Sequence, residues 1–276
     1  MHDLGRRFTR HRLAIAGGLV SVVLLVGSMS ASLIAPYRFE QIDLKNLFKP
    51  PSRSHVLGTD ELGHDVLTRV LYAGRVSLIV GLVATVISTV AGVVIGLLAG
   101  YYGGLLDDLL MRVTDVFISV PPIAVMFILA KSLGPGLGSI VVVLCIFGWM
   151  GTARLVRGEV LRIKSQDFVE ATLALGSSDR RVIVRHLIPN TLAPVIIAAT
   201  LAVGQAILSE STISYFGLGI QPPTPSWGNM LQNAQEYLWT APWLAFYPGF
   251  CIFITVLAFN LLGDGLRDAL DPKLKQ

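Results

Sequence analysis

Residues 167–190 read DFVEATLALGSSDRRVIVRHLIPN and form a short polar stretch between two long apolar runs. Asp167 is placed to cap a helix, with Glu170 three residues later as the reciprocal half of a capping box. Gly176 stands where a helix ends in the left-handed conformation, and Pro189 is placed to end a second short helix. This polar island predicts a helix–glycine–helix element, which is more structure than a simple connection between two membrane spans needs. We interpret it as a docking surface for a cytoplasmic partner.

The composition of the chain is that of a membrane protein. Of its 276 residues 53% are hydrophobic and only 14% are charged, and the mean hydropathy is +0.66, whereas about 25% of a soluble domain is charged. The net charge of +4 does not call for nucleic acid, because membrane proteins carry an excess of Lys and Arg on their cytoplasmic side. Cys145 and Cys251 both fall in apolar runs, which favours packing over a disulfide.

Six apolar runs predict six transmembrane helices, so the predicted fold class is an all-α membrane protein. The first run, residues 13–35, is longer than the apolar part of a signal peptide, and we interpret it as an uncleaved span. It follows a polar N-terminus, residues 1–12, and a polar tail covers residues 264–276. The other five predicted helices form a core over residues 76–263, at about 76–99, 107–131, 138–155, 191–213 and 243–263. The polar island lies in the loop 156–190 of this core.

Residues 36–75 form the predicted outer loop. Thr59 or Asp60 can cap an amphipathic helix that lies on the membrane surface. Histidines and carboxylates crowd into this part of the sequence: His55, Asp60, Glu61, His64 and Asp65. Their spacing matches no standard set of metal ligands. A metal site is the alternative, but we favour charges on the wet face of the surface helix.

Small residues recur every four positions in the second predicted span: Ser88, Gly92, Gly96 and Gly100. Residues four apart share one face of a helix, and small side chains let another helix approach closely. This stripe predicts a helix-packing face and carries no information about substrate.

Two later spans contain residues that could line a transport path. Pro121 and Pro122 interrupt the third span, and the backbone carbonyls that they free fit either a plain kink or a polar path. The fifth span contains Gln205 and Glu210. A carboxylate inside a membrane is a functional candidate, although Glu210 lies near the end of the span, where lipid headgroups could hydrate it.

The distribution of basic residues predicts the orientation. With the N-terminus in the cytoplasm, 15 of the 22 Lys and Arg residues lie on the cytoplasmic side. The positive-inside rule therefore places both termini and the polar island in the cytoplasm.

The sequence lacks the motifs of common catalytic sites. No Lys follows the glycine-rich run of a phosphate-binding loop, and HExxH, CxxC and GxSxG are absent. The five histidines all lie outside the apolar runs. We therefore expect no catalysis, cofactor or metal on this chain.

The polar island resembles the EAA loop of ATP-binding-cassette (ABC) importer permeases. That loop reads Glu-Ala-Ala, three residues, Gly, nine residues and then Ile-x-Leu-Pro. Four positions match in place: Glu170, Ala171, Gly176 and Pro189. Three depart from it: Thr172 replaces the second Ala, His186 the Ile and Ile188 the Leu.

The resemblance extends over nearly the whole chain. It includes HVLGTDELGHDVLTRVLYAGRVSL at 55–78, GLLAGYYGGLLDDLLMRVTDVFISVPP at 96–122, QPPTPSWGNML at 221–231 and FNLLGDGLRDALDPKLK at 259–275. These segments are similar to the second, C-type permease subunit of dipeptide, oligopeptide and nickel importers, in which Arg is more usual at the position of His64.

The resemblance implies a type I ABC importer fold in a bacterial inner membrane. It also implies a homologous second permease, two cytoplasmic ATPases that hold ATP and Mg²⁺, an extracytoplasmic substrate-binding protein and contact with lipid, but no nucleic acid. The ATPase-coupling residues would then be Asp167, Glu170, Ala171, Thr172, Gly176 and Pro189.

The substrate and two other classes of function stay open at this point. Peptides are the expected substrate, with nickel or a metal chelate as the alternative. A secondary transporter working alone would need an inverted repeat and ion-coupled residues near the membrane midplane, and we find neither in the sequence. A membrane anchor without transport is opposed only by the prolines of the third span and the polar residues of the fifth.

Overall fold

The computed structural model describes residues 12–270. Of the predicted N-terminus only Arg12 falls in this range, and of the predicted tail only residues 264–270. All regular structure in the described residues is helical, apart from one isolated bridge between Thr59 and Asp65. The helices are α1 (Arg12–Met29), α2 (Ala31–Ile34), α3 (Val66–Tyr102), α4 (Gly104–Ser119), α5 (Pro122–Leu133), α6 (Leu137–Gly148), α7 (Met150–Lys164), α8 (Asp167–Ala174), α9 (Asp179–Val182), α10 (Ile188–Tyr215), α11 (Trp227–Ala234) and α12 (Trp243–Leu270).

Five helical stretches of the described chain are long and apolar enough to cross a membrane: Arg12–Met29, Val66–Tyr102, Leu137–Lys164, Asp179–Tyr215 and Trp243–Leu270. A sixth crossing is available if α4 and α5, which meet at a bend of 88°, are taken as one broken span. The predicted all-α membrane fold is confirmed, and the bent pair α4–α5 lies where the sequence predicts the third span.

Helix α3 begins at Val66, so the separate amphipathic surface helix predicted for the outer loop is wrong. The Asp65 carboxylate caps α3 by accepting hydrogen bonds from the backbone N–H and the hydroxyl of Thr68, at 2.9 and 2.8 Å. Val66 and Val70 are buried in the core. These residues pack inside the protein instead of on lipid, and their helix continues without a break into the second span.

The small-residue stripe of α3 lies directly against α6 and α7. A Cβ atom added to Gly92 would stand 2.6 Å from the carbonyl oxygen of Trp149. One added to Gly96 would stand 2.5 Å from the carbonyl oxygen of Ala153, and one added to Gly100 would stand 2.8 Å from the Cβ atom of Val160. These distances leave no room for a methyl group, so the close approach of the two helices depends on glycine.

Two loops form a folded layer at one end of the bundle, and the polar island lies at the other end. The loop layer consists of residues 35–65 and 216–242. Its halves meet where the rings of Phe48 and Tyr237 lie 4.7 Å apart. The indole N–H of Trp243, the first residue of α12, donates to the carbonyl of Thr59 in the same layer. Helix α3 connects the two ends, because Asp65 precedes it in the loop layer and Tyr101 contacts the island.

Candidate functional site

The polar island contains the predicted helix–glycine–helix element. Helix α8 ends at Ala174, and Gly176 follows in the left-handed conformation with φ of 77°. Its N–H donates to the carbonyl of Leu173 at 2.9 Å, which closes the end of the helix. The glycine is needed here because a side chain is strained at this φ.

The predicted capping box of α8 is wrong. Gln166 occupies the N-cap position, and no side chain caps the helix there. Asp167 is the first helical residue, and it and Glu170 lie in the first turn with exposed side chains. Negative charge near a helix N-terminus is favourable, so these carboxylates stabilise α8 through its dipole and remain open to a partner.

Pro189 does not end the second helix as predicted. A π-helical turn, Ile183–Leu187, follows α9 and leads directly into α10. The N–H of Ile188 donates to the carbonyl of Ile183, five residues earlier. Pro189 then falls in the first turn of α10. The island therefore continues into the fifth span as one helical element.

The inner side of the island is fixed to the end of α3. Val169 and Val182 are fully buried in a cluster that includes Tyr101. The Tyr101 hydroxyl donates to the Asp179 carboxylate at 2.8 Å. The Lys164 ammonium donates to the Tyr101 carbonyl at 2.6 Å and lies 5.3 Å from the centre of its ring. The island thus has a packed base and is not a freely moving loop.

The outer side of the island exposes apolar side chains. Leu175 is 87% exposed and Phe168 is 44% exposed, and Ala171 lies between them in sequence. Exposed apolar groups on a rigid element, next to exposed carboxylates, are typical of a protein-docking surface. Five of the six predicted coupling residues lie on α8 or its glycine stop, while Pro189 belongs to α10.

The two helices of the broken span beside α3, α4 and α5, meet at a much sharper bend than the two halves of a kinked helix. Pro121 lies at the break, and Pro122 is the first residue of α5. Helix α4 is held against α7 by ion pairs of Arg157 with Asp107, at 2.5 and 2.6 Å, and of Arg154 with Asp115. Because α4 is held there while α5 turns away by 88°, a cavity opens next to the break.

This cavity has a volume of about 390 Å³, within the range of small-molecule sites. Two of its walls carry the polar groups. The wall on α3 consists of Ala84, Thr85, Ser88 and Thr89, and the wall on α10 consists of Ala202, Gln205, Ala206 and Ser209. The remaining wall is mostly apolar: Pro122, Met126, Leu144, Phe147 and Gly148. None of the thirteen lining residues is charged. Of the four predicted path residues, Pro122 and Gln205 line the cavity, whereas Pro121 and Glu210 do not.

Residues 92–276 match the family described as binding-protein-dependent transport system inner membrane component. The chain belongs to this permease family. Residues 1–51 of the permease match the N-terminal TM domain of oligopeptide transport permease C. The predicted membership of the ABC importer permeases, with the type I fold, is thereby confirmed.

Relatives match the permease over nearly its whole length. The glutathione transport system permease protein GsiD of Shigella flexneri serotype 5b (strain 8401) is 44% identical over 275 residues, which cover 99% of this permease and 91% of the relative. Proteins of the same name from Escherichia coli O6:K15:H31 (strain 536 / UPEC) and Shigella boydii serotype 4 (strain Sb227) are 43% identical with the same coverage. The chain is a multi-pass inner-membrane permease of an ABC importer.

Glu210 of the permease is completely buried, which opposes the alternative that lipid headgroups hydrate it. Its carboxyl oxygens accept hydrogen bonds from the hydroxyls of Ser77 at 2.9 Å and Ser214 at 2.8 Å. Ser211 adds a longer bond of 3.4 Å. A carboxyl group loses its hydrogen bonds to water when it is buried, and the hydrogen bonds from these serines compensate for that loss.

The Glu210 carboxyl group is linked to the loop layer through the same serines. Ser77 accepts a hydrogen bond from the backbone N–H of Trp227, and Ser214 accepts one from that of Ile220, both at 3.3 Å. The buried indole of Trp227 also donates to the carbonyl of Val70 at 3.2 Å. Two chains of hydrogen bonds thus connect loop backbone, serine and carboxyl group.

The charged residues of the outer-loop motif form a buried cluster instead of the expected solvent-exposed face of a helix. His55 pairs with Asp65 at 3.0 Å, and His64 pairs with Asp60 at 2.8 Å. Burial acts to raise the pKa of Asp60, but the hydrogen bond and charge of His64, with the charge of Arg69, outweigh it and hold that pKa below its usual value. Within residues 12–270 no three His, Cys, Asp or Glu side chains are arranged to hold a metal.

Sequence reasoning missed Thr85, Ser77 and Trp227. Thr85 and Ser88 lie three residues apart on α3, and this polar face inside an apolar run was a usable signal for the cavity wall. Trp227 lies in the motif QPPTPSWGNML, which was noticed only as a resemblance. Nothing local in the sequence pairs Ser77 with Glu210.

Proposed function

We propose that this permease forms half of the translocation path of an ATP-driven importer of short peptides. A homologous permease completes the path, and an extracytoplasmic binding protein delivers the substrate. ATP and Mg²⁺ act on two separate cytoplasmic ATPase subunits, which dock on the polar island. The observation that carries the proposal is the exposed apolar edge formed by Phe168 of α8 and by Leu175 directly after it, on a base fixed by the Tyr101–Asp179 hydrogen bond.

A fixed base matters because coupling needs a displacement to be transmitted. A flexible loop would absorb the movement of an ATPase, whereas a helix packed against α3 passes it on to the spans as a rigid-body shift. The closing of the ATPases on ATP would then bias the equilibrium between inward- and outward-facing states. Asp167 and Glu170 add exposed negative charge to the docking edge.

The proposed orientation has both termini in the cytoplasm, on the side of the island. Gly17 of α1 packs against Ala258, and Gly74 at the loop-layer end of α3 packs against Ser28. Helices α1 and α12 therefore have their free ends at the island end of the bundle. This arrangement fits the basic residues of the N-terminus and the tail.

The proposed substrate class rests on the uncharged cavity and on the relatives. Hydroxyls and a carboxamide line two walls of the cavity, which suits a solute rich in amide groups. The relatives are named for transport of glutathione, itself a tripeptide. Glutathione is therefore the first substrate to test, followed by dipeptides and longer peptides.

Replacing Leu175 by Asp tests the docking surface. The leucine is almost fully exposed, so the variant should insert and assemble normally. We expect at least a tenfold loss of substrate-stimulated ATPase activity and uptake in proteoliposomes that contain all subunits. Leu44→Asp, at an exposed leucine of the loop layer, is the matched control. Glu170→Lys and the harsher Gly176→Pro should uncouple in the same way.

Three outcomes would contradict different parts of the proposal. Normal coupled transport by Leu175→Asp, Glu170→Lys and Gly176→Pro would show that the ATPases do not use the island. Uptake by the purified chain without ATPases would indicate a secondary transporter. Nickel uptake without uptake of glutathione or other peptides would contradict the substrate class while leaving the coupling mechanism in place.

A further inference from the structure

Helix α4 is attached to the rest of the described chain by charge more than by apolar packing. Of its residues only Asp107 and Thr114 are buried, and none of its apolar side chains belongs to the buried core. The Asp107 carboxylate accepts two hydrogen bonds from one guanidinium group, that of Arg157 on α7, at 2.5 and 2.6 Å. Arg154, one turn earlier on α7, pairs with Asp115 on α4. These two ion pairs, both with α7, hold α4 in place.

Helix α7 leads directly into the polar island. It ends at Lys164, and α8 begins at Asp167. The Lys164 ammonium donates to the carbonyl of Tyr101, which is part of the packed base of the island. Arg157 precedes Lys164 by two turns of the same helix, or about 10 Å at a rise of roughly 1.5 Å per residue. A displacement of the base of the island therefore displaces the Arg157 guanidinium with it.

At its other end α4 leads directly to the cavity. It ends at Ser119, and a two-residue link that includes Pro121 joins it to Pro122, which begins α5 and lines the cavity. The φ angles of the two prolines are fixed by their rings, so the link is stiff. Close to the end of α4, the ring of Phe117 lies edge-on to that of Phe147 in the cavity wall, with 6.2 Å between the ring centres. A movement of α4 therefore acts on two parts of the cavity wall.

We propose that the ion pairs between α4 and α7 carry the movement of the polar island to the cavity, with Arg157 and Asp107 as the main positioning residues. This inference rests on the proposed function and specifies how a push by an ATPase on the island reaches the transport path. Helix α7 moves with the island, the ion pairs move α4 with α7, and α4 shifts the start of α5 through the stiff link. The two parallel hydrogen bonds of the inner pair suit this role, because they fix the direction as well as the distance between the partners.

The experiment measures how many peptide molecules enter proteoliposomes for each ATP hydrolysed. The complete complex is used, with a peptide that the wild type transports. Asp107→Asn combined with Arg157→Gln removes the inner pair without leaving one of its charges unpaired. Arg162→Gln is the matched control, because the ion pair of Arg162 with Glu159 lies within α7.

We expect the variant without the inner pair to keep its substrate-stimulated ATPase activity, because the docking surface is unchanged, while uptake per ATP falls roughly 5-fold. The Arg162→Gln variant should keep the wild-type value. A purely structural role of the inner pair predicts a different result, in which less complex assembles and uptake and ATP hydrolysis fall in proportion.

The outer pair gives a second measurement at exposed side chains. Arg154→Gln combined with Asp115→Asn changes only solvent-exposed groups, so this variant should assemble normally. We expect its uptake per ATP to fall roughly 2-fold, less than on loss of the inner pair, because an exposed ion pair is weaker than a partly buried one. This variant decides the question if the variant without the inner pair does not assemble.

Wild-type uptake per ATP in both double variants would overturn the proposed link. The same conclusion would follow from wild-type uptake per ATP in the outer-pair variant if the inner-pair variant does not assemble. In either case, loss of coupling in Leu175→Asp would show that the proposed function stands and that the movement reaches the cavity by another route. Normal coupling in Leu175→Asp, Glu170→Lys and Gly176→Pro would instead remove the island as the source of the movement, and the docking proposal and the link would fail together.

Discussion

Ser77 and Glu210 are 133 residues apart in the sequence, and the serine hydroxyl donates to the glutamate carboxyl group at 2.9 Å. The bond joins α3 to α10, and through Ser77 it reaches the backbone of Trp227 in the loop layer. One carboxyl group thus holds together three parts of the chain that are otherwise connected only through long intervening segments.

Replacing Glu210 by Gln should destabilise the permease by about 1–3 kcal/mol. The amide group offers one acceptor oxygen where the carboxyl group offers two, so either Ser77 or Ser214 loses its buried acceptor. Thermal unfolding of the purified complex in detergent measures the loss. Glu236→Gln, at an exposed residue of the loop layer, should leave the unfolding temperature unchanged. Equal stability of the Glu210 variant and the wild type would mean that the network is not stabilising.

Replacing Gly96 by Ala should destabilise the packing of α3 against α7 by about 1–3 kcal/mol. The added methyl group would stand 2.5 Å from a backbone oxygen and 2.8 Å from Val156, neither of which can move without shifting the helix. Gly158→Ala is the matched control, because a Cβ there meets no atom within 4 Å. The two variants are compared by thermal unfolding, and a Gly96 variant as stable as the Gly158 variant would refute the close-packing role.

The Tyr101–Asp179 hydrogen bond should contribute about 1 kcal/mol to the attachment of the polar island. Tyr101→Phe removes the donor but keeps the ring beside Lys164, and Asp179→Asn weakens the acceptor. In a double-mutant cycle, the two changes should be less than additive by this amount. Hydrogen exchange of residues 167–187 measures the local opening free energy. Strict additivity would show that the island is held by apolar packing alone.

Asp60→Asn should destabilise the loop layer by about 1–3 kcal/mol at neutral pH, since His64 and Arg69 would lose a buried charged acceptor. The folded pKa of Asp60 lies below its ordinary value of 3.8. The stabilisation is therefore complete above that value and is lost as the pH falls through the folded pKa. Thermal unfolding between pH 3 and 7 should show the wild type and the variant converging only at the acid end. Glu40→Gln, on an exposed side chain, should show no such pH-dependent difference.

Features that depend on neighbouring residues were predictable from the sequence. The end of α8 at Gly176 was predictable, because a glycine that follows an apolar stripe of helical spacing is a local signal in the sequence. The stripe from Ser88 to Gly100 was readable because residues four apart in a helix share a face whatever the rest of the chain does. The apolar runs of membrane-spanning length and the motif of the island were sufficient to identify the permease family.

Features that depend on distant partners were not predictable. The charges from His55 to Asp65 suggested a solvent-exposed surface, but His55 and His64 each pair with a buried aspartate, Asp65 and Asp60. Glu210 appeared hydrated because its serine partner comes from another helix. The prolines at 121 and 122 indicated a disturbance, yet the angle of 88° depends on where α4 and α5 pack, which no local pattern contains.

The length of α3 has a mechanical consequence. Its 37 residues span about 55 Å at a rise of roughly 1.5 Å per residue, well beyond a hydrocarbon core of about 30 Å. The helix is therefore long enough to extend past both faces of a membrane, and it joins the loop layer at one end to the polar island at the other. A tilt of about 10° around its middle displaces each end by roughly 5 Å in opposite directions. In such a rigid-body tilt, a displacement of the island moves the loop layer at the same time, and no series of side-chain rearrangements between them is needed.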